Sequence, residues 1–295
     1  MPRIPDGIKD STFFLYSGAD EARQGAKFGG TGFVLSLTSE RVPEITYFYG
    51  VTNWHVAVSG GFSTIRFNNE NGGTNLLEKG PEDWIFDPDG YDLAIIPIPP
   101  NVVPLTPSES LNSLKPIPTT LIYKRDQLLD PNQLNVGLGD DVFMLGRFVD
   151  MDDDLINSPT ARFGCISVMP SPIKQCGPKN GFKDCYCLDM HSRSGYSGSP
   201  VFVYRTPGTS IDHILKTGSP DLTRTMLCLL GVHFAQFPEE LRVMGNNEQK
   251  LFGPSGMTCV IPSWKILDLL NTSELVTERA RSDAIWEERI RNESP

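Results

Sequence analysis

The chain has 295 residues, with 26 Lys and Arg against 36 Asp and Glu, a formal net charge of −10 at neutral pH. That acid excess excludes nucleic acid or an anionic membrane as the main partner, since phosphates repel it, and leaves a protein or peptide substrate. Its 24 prolines and 27 glycines are spread along the chain and punctuate short strands rather than long helices. No run approaches the ~20 apolar residues of a membrane span.

Taken in order, Met1 to Asp10 holds no apolar core of signal-peptide length, which predicts a cytoplasmic protein. Ser11 to Tyr16, short and aromatic-rich, reads as the first strand. Thr31 to Thr38 and Ile45 to Thr52 are the next two, the latter running straight into His55. Ile65 to Asn68 and Trp84 to Phe86 are short strands, and Leu93 to Pro97 is a compact apolar strand directly after Asp92. The proline-rich Asn101 to Pro118 lacks periodicity and reads as a connection between two halves.

The second half restarts at Val136 to Gly146. Strands follow at Gly164 to Val168, Asp184 to Met190, Pro200 to Tyr204, Met226 to Phe234 and Thr258 to Ile261. A polar insertion spans about Tyr204 to Thr225. Trp264 to Leu270 begins a C-terminal helix with Ser263 as its N-cap. The charged Ser273 to Arg291, with an imperfect apolar stripe, reads as a solvated helix packed on the rest. The divisions expected are 1–115, 116–262 and 263–295.

Six cysteines stand at 165, 176, 185, 187, 228 and 259. They read as reduced and mostly buried. Cys176, Cys185 and Cys187, with Cys165 near, could supply a zinc site, since Cys-x-Cys in a strand puts two thiols on one face. The spacing is not that of a zinc knuckle, and the expectation is no metal and no cofactor. The acidic run Asp150 to Asp154 reads as a solvated loop rather than a calcium site.

Three short stretches carry chemistry. Gly195-Tyr196-Ser197-Gly198 is a turn in which glycines let backbone N–H groups crowd around a serine hydroxyl, as an oxyanion site requires. A serine hydroxyl is a weak nucleophile and needs a base, which a third group orients. His55, in Thr52-Asn53-Trp54-His55, suits the base. Asp92, before an apolar strand that keeps it out of water, suits the orienter. Singly, each has an ordinary structural explanation. Together, in a chain with four histidines, they form a coherent triad.

The order His, Asp, Ser resembles that of the trypsin/chymotrypsin-like serine peptidases, and the chain looks most like their disulfide-poor bacterial branch, which holds HtrA-type proteases and glutamyl endopeptidases. The likeness covers most of residues 10–270, through the three motifs plus Gly139-Asp140-Asp141-Val142 and Gly231-Val232-His233. It implies an all-β fold of two six-stranded chymotrypsin-like β-barrels with a C-terminal helix. It implies a serine endopeptidase with Ser197 as nucleophile, His55 as base, Asp92 as orienter, and the N–H groups of Gly195 and Ser197 as oxyanion hole. Where exported trypsins place a cysteine after the histidine, this chain has Val56. Where zymogens place Asp before the serine, it has Tyr196, so activity is built in or controlled by loops or a regulatory protein partner. The role implied is regulated intracellular processing. The alternatives are a pseudoprotease using the cleft for recognition, and an esterase on the same fold. Family habit walls the specificity pocket with His191, Ser192 and Arg193 and with Gly231 to Phe234. An imidazole at His233 and a hydroxyl at Ser192 imply cleavage after Glu or Gln, with Lys and Arg disfavoured.

Overall fold

The computed structural model describes residues 3–100, 102, 114–129, 136–151, 156–175, 177–205, 214, 215, 217–219, 226–242 and 250–293. Its first sheet is built from β1 (Thr12–Tyr16), β2 (Gly30–Thr38), β3 (Thr46–Thr52), β4 (Thr64–Asn68), β5 (Thr74–Leu77), β6 (Ile85–Phe86), β7 (Ala94–Ile98) and β8 (Ile117–Pro118), in the order β5-β4-β1-β2-β3-β7-β6, with β8 parallel to β2. The second is a closed barrel of β9 (Asp141–Gly146), β10 (Thr160–Gln175), β11 (Gly181–Asp189), β12 (Pro200–Arg205), β13 (Met226–Arg242) and β14 (Lys250–Pro262), in the order β10-β11-β14-β13-β12-β9. The two-barrel, strand-rich architecture is the expected one. The strand count differs in the first half, where seven strands form an open path and β8 joins it beside β2, in place of a closed six; the two additional strands, β5 and β8, come from stretches with no periodicity of their own.

β1 is buried along its whole length, so Thr12, Phe13, Phe14, Leu15 and Tyr16 show a continuous apolar run rather than alternation. Its neighbour β2 opposes Phe13 with Gly32, where a Cβ would lie 2.2 Å from the ring. The chain crosses between halves from Pro118 to Ile122, a few residues later than the expected division at 115. Ile117 pairs with Leu35 of β2, and Ile122 then bridges Leu229 of β13. One apolar cluster spans both halves, with Phe33, Leu35 and Ile95 from the first and Phe143, Phe202 and Ile261 from the second. β13 and β14 run well past their expected ends, and α1 (Asp6–Lys9), α2 (Ala19–Gln24) and α3 (Arg125–Leu129) were not anticipated.

Two fully buried arginines lock the halves together. Arg147, at the end of β9, reaches into the first half, donating to the carbonyls of Phe28 (3.1 Å) and Ala26 and lying 4.4 Å from the Tyr16 ring centroid. Arg66 of β4 donates to Asn157 Oδ1 at 2.8 Å and Ala22 O at 2.7 Å, 4.7 Å from the same ring. A buried guanidinium is tolerated only when its donors find acceptors and aromatic faces.

The C-terminus forms two helices, α4 (Trp264–Leu270) and α5 (Ser273–Glu293). α4 buries Ile266, Leu269 and Leu270, a helical spacing. Ser263 occupies its N-cap position, but its hydroxyl donates to Tyr123 O at 2.9 Å instead of capping the helix. α5 buries Leu275 and otherwise meets the first sheet through polar groups: Tyr47 Oη donates to Asp283 Oδ1 (2.6 Å), Arg279 donates to Tyr49 Oη (3.1 Å), and Arg41 pairs with Glu287. Burial and the Asp283 hydrogen bond push the Tyr47 phenol up to about 12. No described helix is long and apolar enough to cross a membrane.

Candidate active site

β3 ends at Thr52, so the strand stops three residues short of His55 rather than running into it. Asn53 and Trp54 turn the chain into a π-helical segment, His55–Ser59. Such segments are rare and cluster at functional sites. Asn53 is fully buried and its Nδ2 donates to the backbone carbonyl of Asp92 at 2.9 Å. On the other side of the sheet, β7 starts just after Asp92, whose carboxylate is buried by the apolar strand that follows.

His55 and Asp92 meet as expected. His55 Nδ1–H donates to Asp92 Oδ2 at 2.5 Å, and the His55 backbone N–H donates to Oδ1 at 2.8 Å. The imidazole is 37% exposed and the carboxylate 3%. With Nδ1 protonated toward the carboxylate, Nε2 carries the lone pair, which is the tautomer a general base needs. The Asp92 N–H donates to Gln175 Oε1 at 3.2 Å, and Gln175 Nε2 in turn donates to Cys185 Sγ at 2.6 Å. Thus β10 of the second barrel reaches across to brace an aspartate of the first.

Ser197 lies in the turn before β12. Its carbonyl accepts the Thr31 N–H at 2.9 Å, and Thr31 Oγ1 donates to Gly195 O at 2.7 Å. A Cβ at Gly30 would come within 2.7 Å of Val56 and 3.0 Å of Ser197 O, so the residue after His55 and the candidate nucleophile converge on one point of β2. Among the described residues the Ser197 hydroxyl has no hydrogen-bond partner, and the Gly195 and Ser197 N–H groups donate to none. Serine–base bonds are commonly long in unliganded enzymes and tighten with substrate. Gly195 (φ 96°) and Gly198 (φ 87°) adopt the left-handed backbone. A Cβ at Gly198 would sit 2.0 Å from Thr31 O, so only glycine permits the turn to pack on β2.

The expected pocket residues divide. His191 is exposed, whereas Ser192 is buried and its Oγ has no partner. His233 is buried. Its N–H donates to Ser199 O at 3.0 Å, and its carbonyl accepts the Gly198 N–H at 2.9 Å. Its Nδ1 lies 3.2 Å from Tyr196 O. A carbonyl only accepts, so Nδ1 carries the proton and Nε2, which has no partner among the described residues, is an acceptor. Burial, with His55 nearby, pushes the His233 pKa down to about 3, so the ring is neutral. Phe234 belongs to the core shared by the two halves.

The described cysteines are free. Cys187 and Cys259 are cross-strand neighbours joined by a thiol hydrogen bond, which lowers the first pKa and raises the second. Burial pushes Cys185 and Cys228 up to about 12. Cys176 lies outside the described residues, as do Asp152 to Asp154 and most of the insertion after Tyr204. Sequence reading missed Thr31, Asn53 and Gln175. Asn53 stood two residues from the histidine and was within reach of notice; Gln175 carried no signal, being 83 residues from the backbone it braces.

No family profile matches the chain, and no curated protein does. Among solved structures, the chain is similar to the MamO protease domain of Magnetospirillum magneticum in its apo form, with 13% identity, a TM-score of 0.50, and coverage of 89% of this chain and 97% of that one. It is also similar to Deg5 (18% identity, 89% and 88% coverage, TM-score 0.47) and to the active form of the Rv3671c protease from M. tuberculosis (18%, 92% and 91%, TM-score 0.44). At 13% identity the first of these likenesses is one of fold alone. The chain has the chymotrypsin-like serine peptidase fold.

Proposed function

We propose that this protein is a serine endopeptidase that cleaves protein substrates through an acyl-enzyme. The observation that carries the reading is the doubly bonded His55–Asp92 pair, with Val56, the residue after His55, packed on the same point of β2 as the Ser197 carbonyl. In the proposed step Ser197 Oγ attacks the scissile carbonyl and its proton passes to His55 Nε2. Asp92 stabilises the imidazolium that results. The oxyanion is held by the Gly195 and Ser197 N–H groups, each such donor being worth roughly 3 kcal/mol in related chemistry. The tetrahedral species then collapses, the C–N bond breaks, and the proton on His55 goes to the leaving amine. Water repeats the sequence to release the acid.

The side chain read on the acyl side follows from His233 and Ser192. An acceptor-only Nε2 and an unpartnered hydroxyl complement a carboxamide, which donates N–H to the ring and accepts from the hydroxyl. A carboxylate would meet the ring's lone pair, so the tautomer favours Gln over Glu, and no acid stands there to hold Lys or Arg. Free thiols support a reducing compartment and a role in cytoplasmic processing.

A fluorophosphonate probe tests the centre. It should label Ser197, with labelling lost in Ser197→Ala and strongly reduced in His55→Ala. An unlabelled wild type in a preparation that turns over peptides, or undiminished labelling of Ser197→Ala, overturns the assignment. A wild type that binds peptides without labelling or cleaving them points to a recognition module.

A further inference from the structure

The turn that carries Ser197 is flanked by two arginines that have no acidic partner among the described residues. Phe148 follows β9, and both guanidiniums lie against its ring, Arg162 at 5.3 Å and Arg193 at 5.7 Å from the centroid. Arg162 is also 5.5 Å from the ring of Tyr196, the residue before Ser197. The segment that holds Phe148 packs directly on the oxyanion turn: a Cβ at Gly195 would come within 2.7 Å of both Arg147 O and Val149 Cγ2. Among the described residues neither guanidinium has a carboxylate within ion-pair distance, and the Arg162 Nε is enclosed without an acceptor. Arg41 and Arg205, by contrast, each hold a carboxylate at 2.5 Å. Asp150, two residues beyond Phe148, is exposed and pairs with neither.

In a chain of net charge −10, two cations beside the nucleophile that pair with no described carboxylate make a local field opposite to that of the whole. Contact with one ring restrains both guanidinium groups. A held fork of N–H donors matches a planar carboxylate with little further loss of side-chain freedom. We propose that Arg162 and Arg193, held on Phe148, form a subsite for an acidic side chain of the peptide substrate, within a few residues of the scissile bond. The subsite rests on the peptidase reading for its placement, but its binding is measurable without catalysis.

The test uses Ser197→Ala, which cannot turn over. A fluorescent Gly/Ser dodecapeptide with a central Glu-Glu is titrated against its Gln-Gln counterpart. About tenfold tighter binding of Glu-Glu is expected, falling as NaCl rises and shrinking to about twofold when Arg193→Gln is added, with Arg193→Lys retaining part of it. Equal binding of the two peptides, or a preference unmoved by Arg193→Gln, overturns the subsite whatever the enzyme's activity. Arg162→Gln gives a second reading if its unfolding temperature matches the parent. With wild type, a peptide library should show one position enriched in Asp and Glu, the preference carried by KM. A library cleaved with no acidic position also overturns it. A wild type that neither labels nor cleaves, beside a retained Glu-Glu preference in Ser197→Ala, overturns the peptidase reading and keeps the subsite.

Discussion

The two halves of the candidate site are built differently. On the first-barrel side every hydrogen-bonding group of Asp92 is engaged. Its two carboxylate oxygens receive the His55 ring and backbone N–H groups, its carbonyl receives Asn53, and its own N–H is taken by Gln175. On the second-barrel side the backbone is held as firmly, through Thr31, Ser199 and the His233 carbonyl, yet the side chains of Ser192, Ser197 and His233 each keep an unused donor or acceptor. Buried polar groups are costly when unpaired. On the first-barrel side Asn53 Oδ1 is likewise buried without a partner among the described residues; Ser192 and His233 mark where a ligand completes the second-barrel side, while the base is oriented before any ligand arrives.

That contrast is open to attack at three strengths. The largest expected effect is at the orienter. Asp92→Asn keeps the shape but no longer selects the Nδ1–H tautomer, and kcat should fall about 10⁴-fold with the fold unchanged. Retention of activity within tenfold in single-turnover kinetics would show that the first-barrel half is not preorganising the base. Next is the turn itself. Gly198→Ala places a Cβ against Thr31 O at positive φ, and denaturant unfolding should register a loss of about 3 kcal/mol. A loss below 1 kcal/mol would mean that the second-barrel backbone yields easily.

The smallest effect is read by pH. The folded pKa of His233 lies near 3 and its ordinary value is 6.5, so between those limits the unfolded chain holds the extra proton. The stability this neutral ring contributes is present above pH 6.5 and is lost as pH falls toward 3. His233→Gln cannot titrate, so its stability should fall less than wild type's between pH 7 and 4.5, by about 2 kcal/mol. Parallel stability curves would place the ring in contact with water and remove the basis for a carboxamide pocket.

Several features were legible because they are local. Positive-φ glycines around Ser197, the apolar strand behind Asp92 and the strand before His55 need only neighbours in sequence, and the order of the three residues is itself a property of the chain. The short β5 and β8 were not legible, since their strand character comes from pairing with β4 and β2 and not from any pattern of their own. β13 and β14 outran their apolar cores for the same reason: each supplies the other's hydrogen bonds through polar and proline-containing stretches.

By itself the sequence determined the candidate base, orienter and nucleophile, the strand-rich class and the reduced cysteines, because residue type and short spacing suffice for these. Tertiary structure alone decided that Gln175 braces Asp92, that Arg147 and Arg66 join the halves, that Phe234 is core, and that His233 presents an acceptor. The physical reason is that a hydrogen bond between residues 83 to 119 positions apart leaves no trace in local periodicity; it exists only once the two halves have packed against each other.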